Sequence, residues 1–345
     1  MSDYYYDDEP VSPHQRPHRR RRPARTALLV LVSIVLVAAI AVGGYLFSLA
    51  SVFNSKSQTI EAAFPEGDRP PAAPGDNILL LGSDEGADTE EQIASGAPRD
   101  TRADTMMLVH IPKDRSQIFV MSIMRDTWTE IPGVGEGKMN SAMSIGGIPL
   151  VVQTIEAMFD SRIDHVAMID FEGFKGLTDA LGGVEVDNPG AFQSRGSKGE
   201  YFAEGPITLS GDQALKFVRE RYAFGDGDYQ RVKNQQVFVK ALMGEVLTPQ
   251  TLANPVKLYQ LVDETAPYLS VDKEFGASTA GGLAFGLRGA RTSDVRFFTL
   301  PNLGVGTSFD GQSIVVKDDA AIGEISGALA DDSLGQYLDS SDIEN

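Results

Sequence analysis

The chain has 345 residues, 42% of them apolar, with 30 basic against 48 acidic side chains, a net charge of -18 and no cysteine. That length holds one large domain or two ordinary ones with a real core. The acidic balance argues against a nucleic-acid binder, and the missing cysteines exclude disulfides, thiol nucleophiles and cysteine-bound metals.

Residues 1–25, rich in Tyr, Asp, Pro and Arg, read as a disordered cytoplasmic tail. Next comes "TALLVLVSIVLVAAIAVGGYLFSLA" (26–50), 25 residues without a charge. As a helix it extends roughly 37 Å, against a hydrocarbon layer of about 30 Å. "RRRR" (19–22) and Arg25 precede it, and the positive-inside rule keeps them in the cytoplasm, so everything after residue 50 lies outside. A cleaved signal peptide carries a shorter apolar region of about 7 to 15 residues, so the reading is an uncleaved, single-pass anchor in the cell membrane. The tail takes six Arg and four acidic residues with it, leaving 24 basic against 44 acidic outside. An anion site on this domain must therefore be built locally. Residues 51–76, with "PEGDRPPAAPGD", read as an extracellular linker stiffened by proline.

From residue 77 short apolar runs alternate with longer amphipathic ones. Strands are expected at 77–82, 105–111, 117–123, 165–170, 183–187 and 295–301, several continuous enough for a sheet covered on both faces. Helices are expected at 148–160, 171–181, 210–221, 229–247, 251–268 and 319–330, with Ser210 and Gln213 placed for a capping box. The sum is an α/β protein, a three-layer α/β/α domain over 77–335, with 336–345 as a C-terminal tail.

Polar clusters fall where these elements end. "LGSDEG" puts Asp84 just past a strand, and "RDTRADTMML" puts Arg102 and Asp104 before the next. Carboxylates at strand ends suit a hard cation that also takes phosphate oxygens, and they equally suit ordinary turns and N-caps. "SIMRDTWTEIPG" (122–133) sets Arg125 and Asp126 after a strand and continues to Lys138 and Asn140; a structural Arg–Asp pair accounts for it as well. In "FVRERYAFGDGDYQRVKNQQ" (217–236), Arg219 and Arg221 point about 200° apart on a helix, so they converge only if the helix ends there, as "AFGDG" suggests. The competing reading is cations at a helix C-terminus, worth about 0.3–1 kcal/mol. Arg231 and Gln235 are four apart and share a face of the next helix. No P-loop, dinucleotide fingerprint, zincin or nucleophile-elbow motif is present. His110 and His165 read as structural, and the single Trp128 and the dispersed phenylalanines read as core.

Taken in order, "NILLLGSD", "TRADTMMLVHI", "SIMRDTWTEIPG" with "GKMNSAMSIGG", "IDHVAMIDFEGFKGLTDALGGVEVDNP" and "LSGDQALKFVRERYAFGDGDYQRVKNQQ" resemble the LytR-CpsA-Psr family of membrane-anchored enzymes of Gram-positive envelopes. The resemblance covers 77 to about 243 and implies a domain with a central mixed sheet. It implies transfer of a glycopolymer from a polyprenyl-pyrophosphate carrier to peptidoglycan through a phosphodiester link. By the same resemblance Asp84 and Asp104 would hold Mg²⁺, or Mn²⁺ in its place. Arg102, Arg125, Lys138, Asn140, Arg219, Arg221, Arg231 and Gln235 would grip the pyrophosphate, with Asp104, Arg125, Arg219 and Arg221 as the catalytic set and Asp104 activating the acceptor hydroxyl. Guanidinium forks suit such oxygens, and a metal neutralises the remaining charge. The sequence departs from the family in two places: Gly86 stands where an arginine is common, and an acidic insertion fills 85–101, with two readings open, Arg99 as a substitute for that arginine or the loop only as a lid. A pyrophosphatase using water, or a non-catalytic binder of polyprenyl lipids that regulates the envelope, would use the same residues.

Overall fold

In the computed structural model the described residues are 41–83, 103–195, 199–225, 227–246, 248, 254–341 and 343. The chain divides into two units, residues 1–48 and 49–345. Of the first unit, residues 41–48 are helical; the tail 1–25 and residues 26–40 of the expected membrane span lie outside the described residues. Among the described residues, one helix is long and apolar enough to cross a membrane, Ser141–Phe159, and most of it is buried in the core of the second unit.

The second unit opens with helical residues 49–56. In chain order there follow β1 (Gln58–Ile60), β2 (Asp76–Ser83), β3 (Ala103–Ile111), β4 (Ile118–Ile123), β5 (Thr127–Ile131), β6 (Gly135–Lys138), α1 (Ser141–Phe159), β7 (His165–Ile169) and α2 (Phe171–Ala180). Next come β8 (Val184–Asn188), β9 (Phe192–Gln193), β10 (Tyr201–Phe202), β11 (Gly205–Leu209), α3 (Gly211–Arg219), α4 (Asp228–Val246), α5 (Pro255–Thr265), β12 (Ser270–Asp272) and α6 (Ala277–Gly286). The chain ends with β13 (Val295–Thr299), β14 (Asn302–Thr307), β15 (Ser313–Lys317), α7 (Asp319–Ala330) and α8 (Leu334–Ser340).

Seven strands form a central mixed sheet in the order β1-β12-β7-β2-β3-β4-β13. β7 runs parallel to β2 and β13 parallel to β4, while β3 is antiparallel to both β2 and β4. Leu79 and Leu81 on one face pack with Val151, Ile155, Ile325 and Leu338 of α1, α7 and α8. Ile78 and Leu80 on the other meet Val239 and Met243 of α4 and Leu283 of α6. Apolar surface is needed on both sides, and so these strands read as unbroken apolar runs rather than alternating ones. A second, four-stranded sheet, β14-β15-β5-β6, adjoins the first. α1 begins seven residues before the expected 148, with Gly147 non-helical at φ 66° and Pro149 just after it, so the sequence signal for a break marks a kink.

Two expected boundaries are corrected. The 51–76 stretch is no linker: β1 pairs in parallel with β12, Ile60 and Ala63 lie in the core, and Arg69 reaches Glu156 at 2.6 Å. Its proline-rich composition conceals one three-residue strand and one half-buried cation. Nor is 336–345 a tail, because α8 runs to Ser340 and buries Leu338. His110 is held between Asn77 Oδ1 at 2.8 Å and Asp332 Oδ1 at 3.1 Å, and His165 lies 3.2 Å from Asp272. Both are tied into structural hydrogen bonds, as the sequence suggested.

Glu156 is buried and also accepts the Ile163 N–H at 2.9 Å. Removing one partner of a buried ion pair strands the other charge, so Arg69→Ala is expected to cost about 3 kcal/mol in urea unfolding. Wild-type stability in that variant would restore the linker reading.

Candidate active site

Because β3 runs antiparallel to β2 and β4, with Met106 opposite Ile123, Asp104 at its start lies on the same sheet edge as Arg125, two residues past β4. The Arg125 guanidinium donates a short hydrogen bond to Asp104 Oδ1. Arg231, in the first turn of α4, approaches the same oxygen at 4.0 Å and pairs with Asp228, the first residue of α4, at 3.0 Å. Asp228 Oδ1 also lies 3.9 Å from Arg125 Nε. Two guanidiniums and two carboxylates thus share one partly desolvated cluster.

The cluster leaves donors unused. Among the described residues, the Nε–H groups of Arg125 and Arg231 are buried without an acceptor, and Asp228 Oδ1 is buried without a hydrogen-bond donor. Burial works against the charge on Arg125, but the carboxylates of Asp104, Asp228 and Asp126 outweigh it and hold that guanidinium above its ordinary pKa. For Arg231 burial prevails, with Arg125 and Arg221 adding to it against Asp228 and Asp104, and its pKa falls below the ordinary value. Arg231 keeps its charge, as a guanidinium does in a protein.

The remaining arginines arrive through the end of α3. Its last residue is Arg219, and Glu220 turns extended at φ -67°, ψ 128°. Glu220 is buried, and its carboxylate accepts the backbone N–H groups of Arg195 (2.7 Å), Tyr222 (2.7 Å) and Ala223 (2.9 Å). From α4, Asn234 and Gln235 donate to the carbonyls of Phe217 (3.1 Å) and Val218 (3.4 Å), capping α3 where its own hydrogen bonds run out. With the helix ended there, Arg219 and Arg221 both line one cavity. Arg219 rests over the Phe171 ring at 4.2 Å, and Arg221 over Tyr222 at 4.6 Å.

That cavity has a volume of about 810 Å³, and six basic side chains against four acidic ones face it. Its character changes along α4: Arg231 and Gln235 give way to Phe238, Val239 and Leu242 on the same lining face. Eleven residues of helix separate the ends of that series, roughly 16 Å. Leu80, Met107 and Phe174 continue the apolar wall.

Of the residues expected from sequence, the cavity brings together Asp104, Arg125, Arg219, Arg221, Arg231 and Gln235. Asp84 and Arg102 lie outside the described residues. Lys138 and Asn140 are not on the wall: Lys138 pairs with Asp126 at 3.1 Å behind Arg125, and Asn140 is buried, its backbone N–H donating to Arg125 O at 3.0 Å. Lys138 is linked to Arg125 through Asp126, and Asn140 through its backbone. Glu220 and Asp228 were missed. Glu220, flanked by two arginines, carries the sequence pattern of a surface ion pair, whereas Asp228 was detectable from its i, i+3 spacing to Arg231.

The model of the LytR_cpsA_psr family matches residues 50–331. The chain belongs to the LytR-CpsA-Psr family. Relatives include the cell wall biosynthesis protein LcpA of Corynebacterium glutamicum, 30% identical over 76% of this chain and 58% of that protein. Another is the polyisoprenyl-teichoic acid–peptidoglycan teichoic acid transferase TagU of Enterococcus faecalis, 34% identical over 54% of this chain and 59% of that protein. The chain thus spans less than three-fifths of the length of either. Among solved structures, B. subtilis TagV aligns with a TM-score of 0.64 at 21% identity, covering 76% of this chain and 98% of that one. The LytR-Csp2A-Psr enzyme of Actinomyces oris aligns at 0.63 and 22% identity, covering 80% and 96%. These two establish the LytR-CpsA-Psr fold.

Glu220 fixes the backbone turn between the two arginines, so its loss is expected to act through them. Glu220→Ala should weaken binding of geranylgeranyl pyrophosphate at least tenfold, read by calorimetry, because three backbone donors lose their common acceptor. Binding at wild-type strength in a folded Glu220→Ala protein would show that the arginines are positioned by other contacts.

Proposed function

We propose that this protein is a membrane-anchored transferase, its anchor the apolar segment 26–50, that moves a glycopolymer from a polyprenyl-pyrophosphate carrier to peptidoglycan outside the cell. One observation carries the reading: a single cavity is lined by the guanidinium groups of Arg125, Arg219, Arg221 and Arg231 at one end and by an apolar wall at the other. An amphiphile with a phosphorylated head and a hydrocarbon chain matches both ends. The names of the LcpA and TagU relatives agree with it.

In this reading Arg125, Arg219, Arg221 and Arg231 bind the diphosphate oxygens, and they bind more tightly as charge builds on the oxygens leaving with the lipid. The acceptor hydroxyl attacks the phosphorus that carries the glycan. The bond from that phosphorus to the lipid-side bridging oxygen breaks, and the carrier leaves as its monophosphate. Asp104 receives the hydroxyl proton. A carboxylate suffices for this because proton loss comes late in a loose phosphoryl-transfer transition state.

Asp104 is the one expected metal carboxylate among the described residues, which hold no cluster of three acidic or histidine side chains. A hard cation typically takes one or two carboxylates with substrate phosphate oxygens, so this donor set fits Mg²⁺, or Mn²⁺, only together with the diphosphate. The ion would be held at Asp104, with Asp84 as the expected second ligand, and would supply charge neutralisation at the diphosphate. Calorimetry is expected to show Mg²⁺ binding in the presence of geranylgeranyl pyrophosphate and none in its absence, and a chelator should stop transfer. Full activity in chelator would remove the metal from the reading.

Arg221→Lys keeps the charge and loses the fork, so transfer of labelled glycan to peptidoglycan should fall by more than tenfold in a protein that still folds. Wild-type turnover would return Arg221 to a helix-terminus role. If labelled glycan phosphate is released freely and none becomes attached when peptidoglycan is supplied, the protein is a hydrolase instead.

A further inference from the structure

The second sheet has an outward face that the proposed donor site does not use. β5 alternates strictly: Thr127, Thr129 and Ile131 are buried, while Trp128 is half-buried and Glu130 is exposed. The register sets Lys138 opposite Trp128 and Glu136 opposite Glu130, so all four side chains share one face. Trp128 is no core residue, contrary to its expectation from sequence. Phe309, at the β14–β15 turn, is 86% exposed and stands edge-on to the Trp128 ring with centroids 6.2 Å apart. The turn that presents it is closed by Ser308 N–H to Gln312 O at 2.9 Å and Gln312 N–H to Ser308 Oγ at 3.0 Å, with Gly311 in the left-handed region at φ 85°. A braced turn that holds a phenylalanine in water is hydrophobic surface kept for a contact.

The face continues into the proposed active site. Lys138 Nζ lies 3.1 Å from Asp126 Oδ1, and Asp126 Oδ2 lies 3.6 Å from Arg125 Nε. Tyr229, between Asp228 and Arg231, donates to Asn302 at the start of β14 at 2.6 Å. Displacement at phosphorus runs in line, the nucleophile entering opposite the leaving oxygen. With the lipid along the apolar wall beneath α4, the leaving oxygen points that way and the acceptor enters from the Arg125 end, where β5 and β14 begin.

We propose that Trp128 and Phe309 form a stacking platform for the acceptor glycan strand, with Lys138, Glu130 and Glu136 bonding its hydroxyl and amide groups. The inference rests on the transferase reading for its direction of approach. The apolar C–H face of a pyranose ring packs on an aromatic surface while charged neighbours bond its rim, and this face supplies both. Charge weighs against a bilayer as the occupant. The rim carries Glu130, Glu136 and Asp310 against Lys138, whereas surfaces that dock on anionic lipid are ringed by Lys and Arg.

Trp128 is the only tryptophan in the chain, so its emission reports on this face alone. Titrating the full-length protein with an N-acetylglucosamine hexamer should change that emission saturably. Phe309→Ala, an exposed substitution whose fold circular dichroism verifies, should weaken the titration about tenfold. In the transfer assay Phe309→Ala should raise the peptidoglycan concentration for half-maximal rate by a similar factor, with the effect in KM rather than kcat. Flat emission with the hexamer overturns the platform, and so does a response to phosphatidylglycerol vesicles without one to the hexamer, which would make the face a membrane contact. Absence of transfer by the wild-type protein would sink the transferase reading and leave the binding result standing. Transfer with an unaltered KM in Phe309→Ala would sink the platform and leave the transferase.

Discussion

The organising constraint is the charge cluster at one edge of the central sheet, where Asp104 and Asp228 hold the buried guanidiniums of Arg125 and Arg231. Two arginines at this depth repel each other and lose hydration, so neither is tolerable without the carboxylates between them. The carboxylates in turn do not consume every donor, because a guanidinium carries five N–H bonds and, among the described residues, both Nε–H groups are left without an acceptor. The antiparallel run of β3 brings Asp104 beside Arg125, and α4 starts where Asp228 and Arg231 can close the ring.

The neighbouring elements are ordered around that cluster. α3 stops at Arg219 because Glu220 gathers three backbone donors and because α4 caps the carbonyls of Phe217 and Val218. The interruption lets two arginines that would oppose each other on a helix line the same cavity. The same α4 that supplies Arg231 then carries Phe238 and Leu242 along the apolar wall, so one rigid helix lines both the charged and the apolar end of the cavity. Sites built on such elements lose less on binding than sites on loops, since their side chains are already placed.

Much of this was legible in the sequence, for physical reasons that also mark its limits. β2, β3 and β4 read correctly because burial on two faces writes an unbroken apolar run, and "AFGDG" announced the end of α3. The second sheet did not read at all. β14, "NLGVGT", carries two glycines, and Gly306 is needed there because a Cβ would meet Val316 at 2.6 Å; packing rather than propensity makes it a strand. β1 has only three residues and borrows its hydrogen bonds from β12, more than two hundred residues away. Glu220 gave no signal of its own, since nothing local tells a buried acceptor of backbone N–H groups from a surface acid. Trp128 looked like core for the converse reason: hydrophobicity signals burial, and which face of a strand is covered is set by the rest of the fold.

The contrast between an acidic exterior and an arginine-lined cavity is itself a selective device. At physiological ionic strength the field of exposed carboxylates decays over about 8 Å, so an anion in free solution meets a weakly repulsive surface and gains little by approaching it. Inside the cavity screening is weaker, and Arg231 with its neighbours acts at short range in a partly desolvated space. Only an anion that can enter the cavity collects that energy, and entry leads along an apolar wall that a free phosphate or a polyanion cannot use. In the proposed transferase reading the selection falls on a phosphorylated head joined to a hydrocarbon chain, because neither the charge nor the chain alone satisfies both ends of the site.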